Sequence, residues 1–193
     1  MYKAVLFGIC GALIFSRFAF AGTITLLPEK SKIAFHAVGH PSFLHVNGAA
    51  SQIVGSFISK DKKVQGSVTL KLENLDTGID LRNTHMKTKY LEIEKYPEAI
   101  FMLKTCVLPE DLDHDLSLAD LPFQGTLQIH GVEKMVEGKV GVKKVGVEVN
   151  LSAEFKVRIS DFKIPEPGYK GITLADEVTV DVEAVAKYAT GVQ

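Results

Sequence analysis

The stretch VGVEVNLSAEFKVRISDF, residues 145–162, alternates without a break. Val145, Val147, Val149, Leu151, Ala153, Phe155, Val157 and Ile159 share one parity; Glu148, Asn150, Ser152, Glu154, Lys156, Arg158 and Ser160 share the other. Period two is strand geometry, because successive side chains of an extended chain point to opposite faces, whereas a helix repeats its apolar positions every three or four residues. At about 3.3 Å per residue the run from Val145 to Ile159 spans roughly 50 Å, far beyond the usual strand of about five or six residues. A strand so long, oily on one side and wet on the other, belongs to a barrel or a large curved sheet.

The same alternation recurs on both sides of it. Residues 31–38 alternate through Ile33, Phe35 and Ala37 and stop at Gly39-His40-Pro41, where proline removes a ladder donor. Phe43 to Val46 reads as a short strand ending in an Asn47-Gly48 hairpin turn. Residues 52–59 put Ile53, Gly55 and Phe57 on one side. After the polar turn Asp61-Lys62-Lys63, residues 64–73 face Val64, Gly66, Val68, Leu70 and Leu72 inward. Further strands are read over 99–107, 123–129, 134–143 and 177–187, the last with Val178, Val180, Val182 and Ala184 inward, and Pro109 to Pro122 reads as a polar, acidic loop. The period changes once, over residues 76–98. There Asp80 is placed to cap a short helix over 81–91, and Pro97 bars its continuation. About eight strands, mostly joined by hairpins, predict an all-β antiparallel barrel with one or two short inserted helices.

Residues 1–21, MYKAVLFGICGALIFSRFAFA, have the layout of a secretory signal: a cation at Lys3, an apolar run from Ala4 to Phe15, and the triplet Ala19-Phe20-Ala21. A cut after Ala21 would leave one domain, residues 22–193, in the periplasm or the medium. Cys106 would be its only cysteine, so no intramolecular disulfide can form and stability rests on packing. With Lys3 and Arg17 removed, 20 basic residues face 23 acidic ones, a net charge of −3. No basic block or stripe appears, which argues against nucleic acid and anionic membrane surfaces as partners, and no stretch after the signal is long enough to span a bilayer as a helix. The oligomeric state is left open, a homodimer included.

The apolar faces include Gly55, Gly66, Gly125 and Ala153 among large residues. Either these remove volume from the barrel interior and leave room for an apolar guest, or the glycines ease bends in curved strands. A guest needs no charged anchor, since each buried methylene contributes about 0.8 kcal/mol.

The segment Thr77-Gly78-Ile79-Asp80-Leu81-Arg82-Asn83-Thr84-His85-Met86, followed by Lys89-Tyr90-Leu91-Glu92 and Lys95-Tyr96-Pro97-Glu98-Ala99, resembles the central signature of the YceI-like family. Ile33-x-Phe35, Gly55-x-Phe57, Gly125-x-Leu127-x-Ile129-x-Gly131-Val132 with Lys134, and Ser160-Asp161-Phe162-x-Ile164 extend the likeness in order along the chain. The resemblance implies a bacterial secreted protein with a lipocalin-like barrel that binds a polyisoprenoid or similar long apolar molecule, with no cofactor and no catalysis. The chain departs from the family pattern at Asn83, where Asp is common, at Ile159, where Arg is common, and at Lys163, where Gly is common. The ligand class is therefore carried over, but not the ligand's identity. The expected lumen wall is Phe35, Phe57, Val68, Leu70, Leu72, Met86, Phe101, Leu103, Leu127, Ile129, Phe155, Val157, Ile159 and Phe162. Arg82, His85 and Tyr90 are the head-group candidates, although Arg82 and His85 suit a role in holding the helix to the strand ends better.

His36, His40 and His45 fall within ten residues, but without a partner Cys or carboxylate at ligand spacing they read as ordinary surface histidines, and no metal is expected. Cys106 has neither a cysteine partner nor a local base. HExxH, GxSxG, a phosphate-binding loop and CxxC are all missing from the sequence. Two rival readings stay open: an enzyme whose Arg82, His85 and Asp161 converge at the barrel mouth, and a stress-response or interaction module with a filled core.

Overall fold

The computed structural model describes residues 21–40, 43, 45–169 and 172–191. The expected signal segment, apart from Ala21, lies outside them. The strands are β1 (Gly22–Leu26), β2 (Lys32–His40), β3 (His45–Ser51), β4 (Val54–Lys60), β5 (Lys63–Lys71), β6 (Glu98–Cys106), β7 (Leu116–Ile129), β8 (Val132–Val145), β9 (Glu148–Arg158), β10 (Gly168–Tyr169) and β11 (Ile172–Thr190). The one α-helix among the described residues, α1 (Asp80–His85), runs into a wider π-type turn at Met86–Tyr90.

Strands β4 to β9 pair in sequence order, and β9 pairs β11. β11 is long enough to take two partners on its other edge. Its residues 173–183 pair β2 and its residues 186–190 pair β1. β1 and β2 thus fill one position in the wall, and β3 and β4, which pair with them, fill the next. The result is a closed, eight-position, antiparallel barrel of lipocalin-like form. Closure removes the free edges that would otherwise expose unpaired ladder groups. The β3 end of the wall is fastened by two backbone bonds of 2.8 Å between Ala49 and Asp76, which deliver the chain to α1.

Several local expectations are corrected. The alternation from Val145 onward is not one strand: Gly146, at φ +58°, and Val147 form the turn between β8 and β9. Val145 and Val147 stand exposed at its tip, while Asp115 accepts the Gly146 N–H at 2.7 Å. Beyond Arg158 the chain leaves the strand, and Ile159–Phe162 form a 3-10 turn. Asn47-Gly48 is not a hairpin turn but the middle of β3, opposite His36 and Phe35. A Cβ on Gly48 would meet the Phe35 ring at 2.2 Å, so the glycine serves as a floor for that ring. The loop expected up to Pro122 ends at Asp115, because Leu116 to Pro122 already belong to β7. Proline is tolerated there: pairing with β6 starts only at Phe123, so on that side there is no ladder for Pro122 to break. Asp80 is the first residue of α1 rather than its cap. Ile79 holds the cap position without a side-chain bond.

Candidate functional site

The inward residues of the barrel surround a large cavity of about 680 Å³. This is within the size range of about 300–1,000 Å³ typical of small-molecule sites. One end is shut. Leu108 and Leu112, from the segment between β6 and β7, are each 2% exposed and pack with Cys106, Ile24 and Leu26 across the barrel base. The other end is open. Ile79 and Leu81 line the cavity yet are 53% and 64% exposed, so the lumen reaches the surface between α1 and the adjoining strand ends.

Every expected wall residue lines this cavity: Phe35, Phe57, Val68, Leu70, Leu72, Met86, Phe101, Leu103, Leu127, Ile129, Phe155, Val157, Ile159 and Phe162. Arg82, His85 and Tyr90 line it as well, at the open end. Period-two parity puts the strand residues there. Ile159 and Phe162 arrive instead through the 3-10 turn that folds the end of β9 inward. Of the lining residues that the sequence reading did not single out, Ile24, Leu26, Val140 and Val142 are on strands, and others sit where no period operates. Leu108, Leu112 and Cys106 are at or beyond the end of β6, and Ile79, Leu81, Pro167 and Gly168 are in the rim segments.

The inward glycines do not simply leave space. Phe101 lies 2.4 Å from where a Gly125 Cβ would be, and Phe123 lies 2.7 Å from that of Gly138. Phe101, Phe123 and Phe155 then meet with centroids 5.7–6.4 Å apart, two of the three pairs edge to face. This is the favourable arrangement for aromatic quadrupoles. The glycine positions therefore seat an aromatic cluster that narrows the lumen toward its closed end.

The chemistry of the lining is almost wholly hydrocarbon. Among the described residues Arg82 is the only Asp, Glu, Lys or Arg on it. The Arg82 guanidinium is turned to the chain that leads into α1: Nε donates to Thr77 Oγ1 at 2.9 Å and Nη2 donates to the Thr77 carbonyl. Asn83 completes that knot, accepting from the Thr77 N–H and hydroxyl at 2.8 and 2.7 Å and donating to Asp76 at 2.7 Å. The Gly78 N–H and the Asn83 amide hold the Asp76 carboxyl below its ordinary range. Tyr90 spans the mouth, its hydroxyl accepting from the Gly168 N–H at 3.3 Å. His85 is exposed on the rim. Tyr96 is not on the lining. It stacks edge-on against His130, 4.9 Å away at the β7–β8 turn. Burial pushes the Cys106 thiol up.

Asp161 does not join Arg82 and His85. It is exposed and off the lining, so the three-residue cluster imagined for an enzyme does not form. His36 sits on the outer wall between Asn47 at 3.0 Å and Asp181 at 3.3 Å, His45 is exposed at the start of β3, and the side chain of His40 lies outside the description. Among the described residues no three His, Cys, Asp or Glu side chains gather as a metal site, and no helix is long and apolar enough to cross a membrane.

Solved structures share this architecture. BcnA from Burkholderia cenocepacia superposes with a TM-score of 0.66 at 18% identity, covering 83% of this chain and 98% of that one. A polyisoprenoid binding domain from Saccharophagus degradans implicated in plant cell wall breakdown gives 0.65 at 16% identity, over 86% and 98%. A YceI protein of Campylobacter jejuni gives 0.57 at 20% identity, over 77% and 86%. No curated protein matches in sequence. At these identities the structures speak for the fold alone. The YceI-like domain model, in contrast, matches residues 25–186, nearly the whole described barrel, and the chain belongs to the YceI-like family.

Proposed function

We propose that this protein is a non-catalytic carrier that encloses the hydrocarbon tail of a long apolar molecule, an isoprenoid quinone, a polyprenol or a related lipid. The observation that carries the reading is the 680 Å³ cavity, shut at one end, open at the other and lined almost entirely by apolar side chains. Among the described residues the lining carries no Asp or Glu. What it offers is desolvation, at about 25 cal/mol for each Å² of hydrocarbon removed from water. The solved relative described as polyisoprenoid binding has the same fold and supports the same ligand class. An apolar tail would lie along Phe57, Val68, Leu103 and Phe155, with its polar end at the rim beside His85 and Tyr90. With Arg82 committed to Thr77, His85 is the less encumbered rim donor. Residues 1–21 act as a cleaved secretory signal in this reading, placing the carrier in the periplasm or outside the cell.

Native mass spectrometry and solvent extraction of protein purified from its own host test the proposal. The expected result is a co-purifying lipid released by organic solvent, and uptake of a fluorescent isoprenoid alcohol by the stripped protein. Recovery of no lipid, together with no uptake, overturns it.

A further inference from the structure

A molecule as insoluble as a polyprenol does not reach a lumen through water, so the mouth of the cavity has to meet whatever holds the lipid. Three large apolar side chains stand exposed at that end. Ile79 and Leu81 are at once part of the lining and more than half exposed. Phe43, 80% exposed, stands at the tip of the β2–β3 hairpin. That hairpin borders the same opening, because Ala37 and Val46, paired across it, both line the cavity. What sets these side chains apart from the other exposed apolar residues is that they adjoin an oily interior, so that mouth and lining form one continuous apolar surface.

Resting on the carrier reading of the lumen, we infer that the mouth docks on the surface of a lipid bilayer, inserting Phe43, Ile79 and Leu81 among the acyl chains so that the ligand slides between membrane and lumen without crossing water. Charge does not drive this contact. Arg82, Lys87 and Lys89 of the α1 segment are offset by Asp76, Asp80, Glu92 and Glu94 close by. Arg82 and Lys87 are moreover tied to the chain, to Thr77 and to the Glu73 carbonyl. A neutral, zwitterionic bilayer therefore suffices, and attachment is shallow and reversible, as expected of a few apolar side chains at the acyl boundary.

The test uses lipid-stripped protein and phosphatidylcholine vesicles containing no isoprenoid. Wild-type protein should co-sediment with the vesicles, and the bound fraction should be unchanged between low and high salt. Phe43→Glu and Leu81→Glu should each lower the partition coefficient about tenfold or more, the scale set by one large apolar side chain. Phe43 is not on the lining, so Phe43→Glu should still take up a fluorescent isoprenoid alcohol from dilute ethanol at the wild-type level, while accepting it from vesicles more slowly. Uptake from ethanol without any co-sedimentation overturns the docking and spares the carrier; no uptake from either source overturns the carrier itself. Co-sedimentation that survives both substitutions, or that salt abolishes, overturns the docking. So does size-exclusion evidence that Phe43 and Leu81 are covered by a second copy of the chain.

Discussion

At the scale of single residues, Asn83 shows how a departure from the family pattern fits its surroundings. Its amide must do two opposite things, accepting from the Thr77 N–H and hydroxyl while donating to Asp76. A carboxylate can do only the first, and it would set a second negative charge against Asp76. The Asn83→Asp variant should therefore be less stable at neutral pH, with a melting temperature several degrees lower, at about 2–4 °C for each kcal/mol in a chain of this size. The pH dependence gives a sharper reading. In the wild type Asp76 has a depressed pKa, so its stabilising contribution is complete above the ordinary carboxylate range and is lost as pH falls through the lower value. In the variant, protonating one of two facing carboxylates relieves repulsion, so the deficit should shrink as the pH falls toward 4. Thermal melts of both proteins across the acid range check this; a deficit that is the same at every pH sinks the electrostatic account.

At the scale of elements, the segment between β6 and β7 seals the barrel base, and its hold is partly a matter of protonation. His114 lies between two carboxylates, its protonated ring donating from Nδ1 to Asp113 at 2.7 Å and from Nε2 to Glu110 at 3.0 Å, and these bonds raise its pKa. A raised pKa means that the contribution is complete below the unfolded value, near 6.5, and is lost as pH rises through the higher folded value. Cys106, buried behind Leu108 and Leu112, reports on the seal. His114→Gln should alkylate at Cys106 faster than wild type near pH 6, with the ratio of rates approaching one near pH 9; a ratio above one that does not change with pH would show that the charge of His114 is irrelevant.

This seal is also where sequence reading stops. The walls were legible, because burial on one face of a strand forces period two, and parity alone assigns Val68, Leu103 and Phe155 to the lumen. Turn positions were less so. Val145 and Val147 keep the parity of β9 while sitting exposed on a hairpin tip, and Asn47-Gly48 has turn chemistry but is held in β3 by its register against His36 and Phe35. Leu108 and Leu112 have no period at all, since irregular chain places its side chains by tertiary contact. Of the site, then, the wall could be read and the base could not.

At the scale of the whole molecule, a barrel that keeps a large void forgoes part of the packing that a closed core would give. Among the described residues no disulfide compensates, since Cys106 is their one cysteine and is free. What remains is the continuous ladder, closed by β11 on β1 and β2, and two apolar clusters at the ends, one on Ile53 and Val149, the other on Leu72 and Phe162. Stability and binding are therefore linked: a ligand present at a hundred times its dissociation constant adds about 2.7 kcal/mol. The link can be cut from the protein side at Ala153, which lines the cavity between the larger Val140 and Val182. In a filled core Ala153→Phe would overpack and cost roughly 1–3 kcal/mol. Against a void the ring has somewhere to go, so the ligand-free variant should melt at or above the wild-type temperature. It should also lose both the uptake of a fluorescent isoprenoid alcohol and the rise in melting temperature that the alcohol brings to the wild type. A variant that melts well below wild type would mean that the space beside Ala153 is not free to accept a ring. One that folds well and still binds would put the hydrocarbon somewhere other than this lumen.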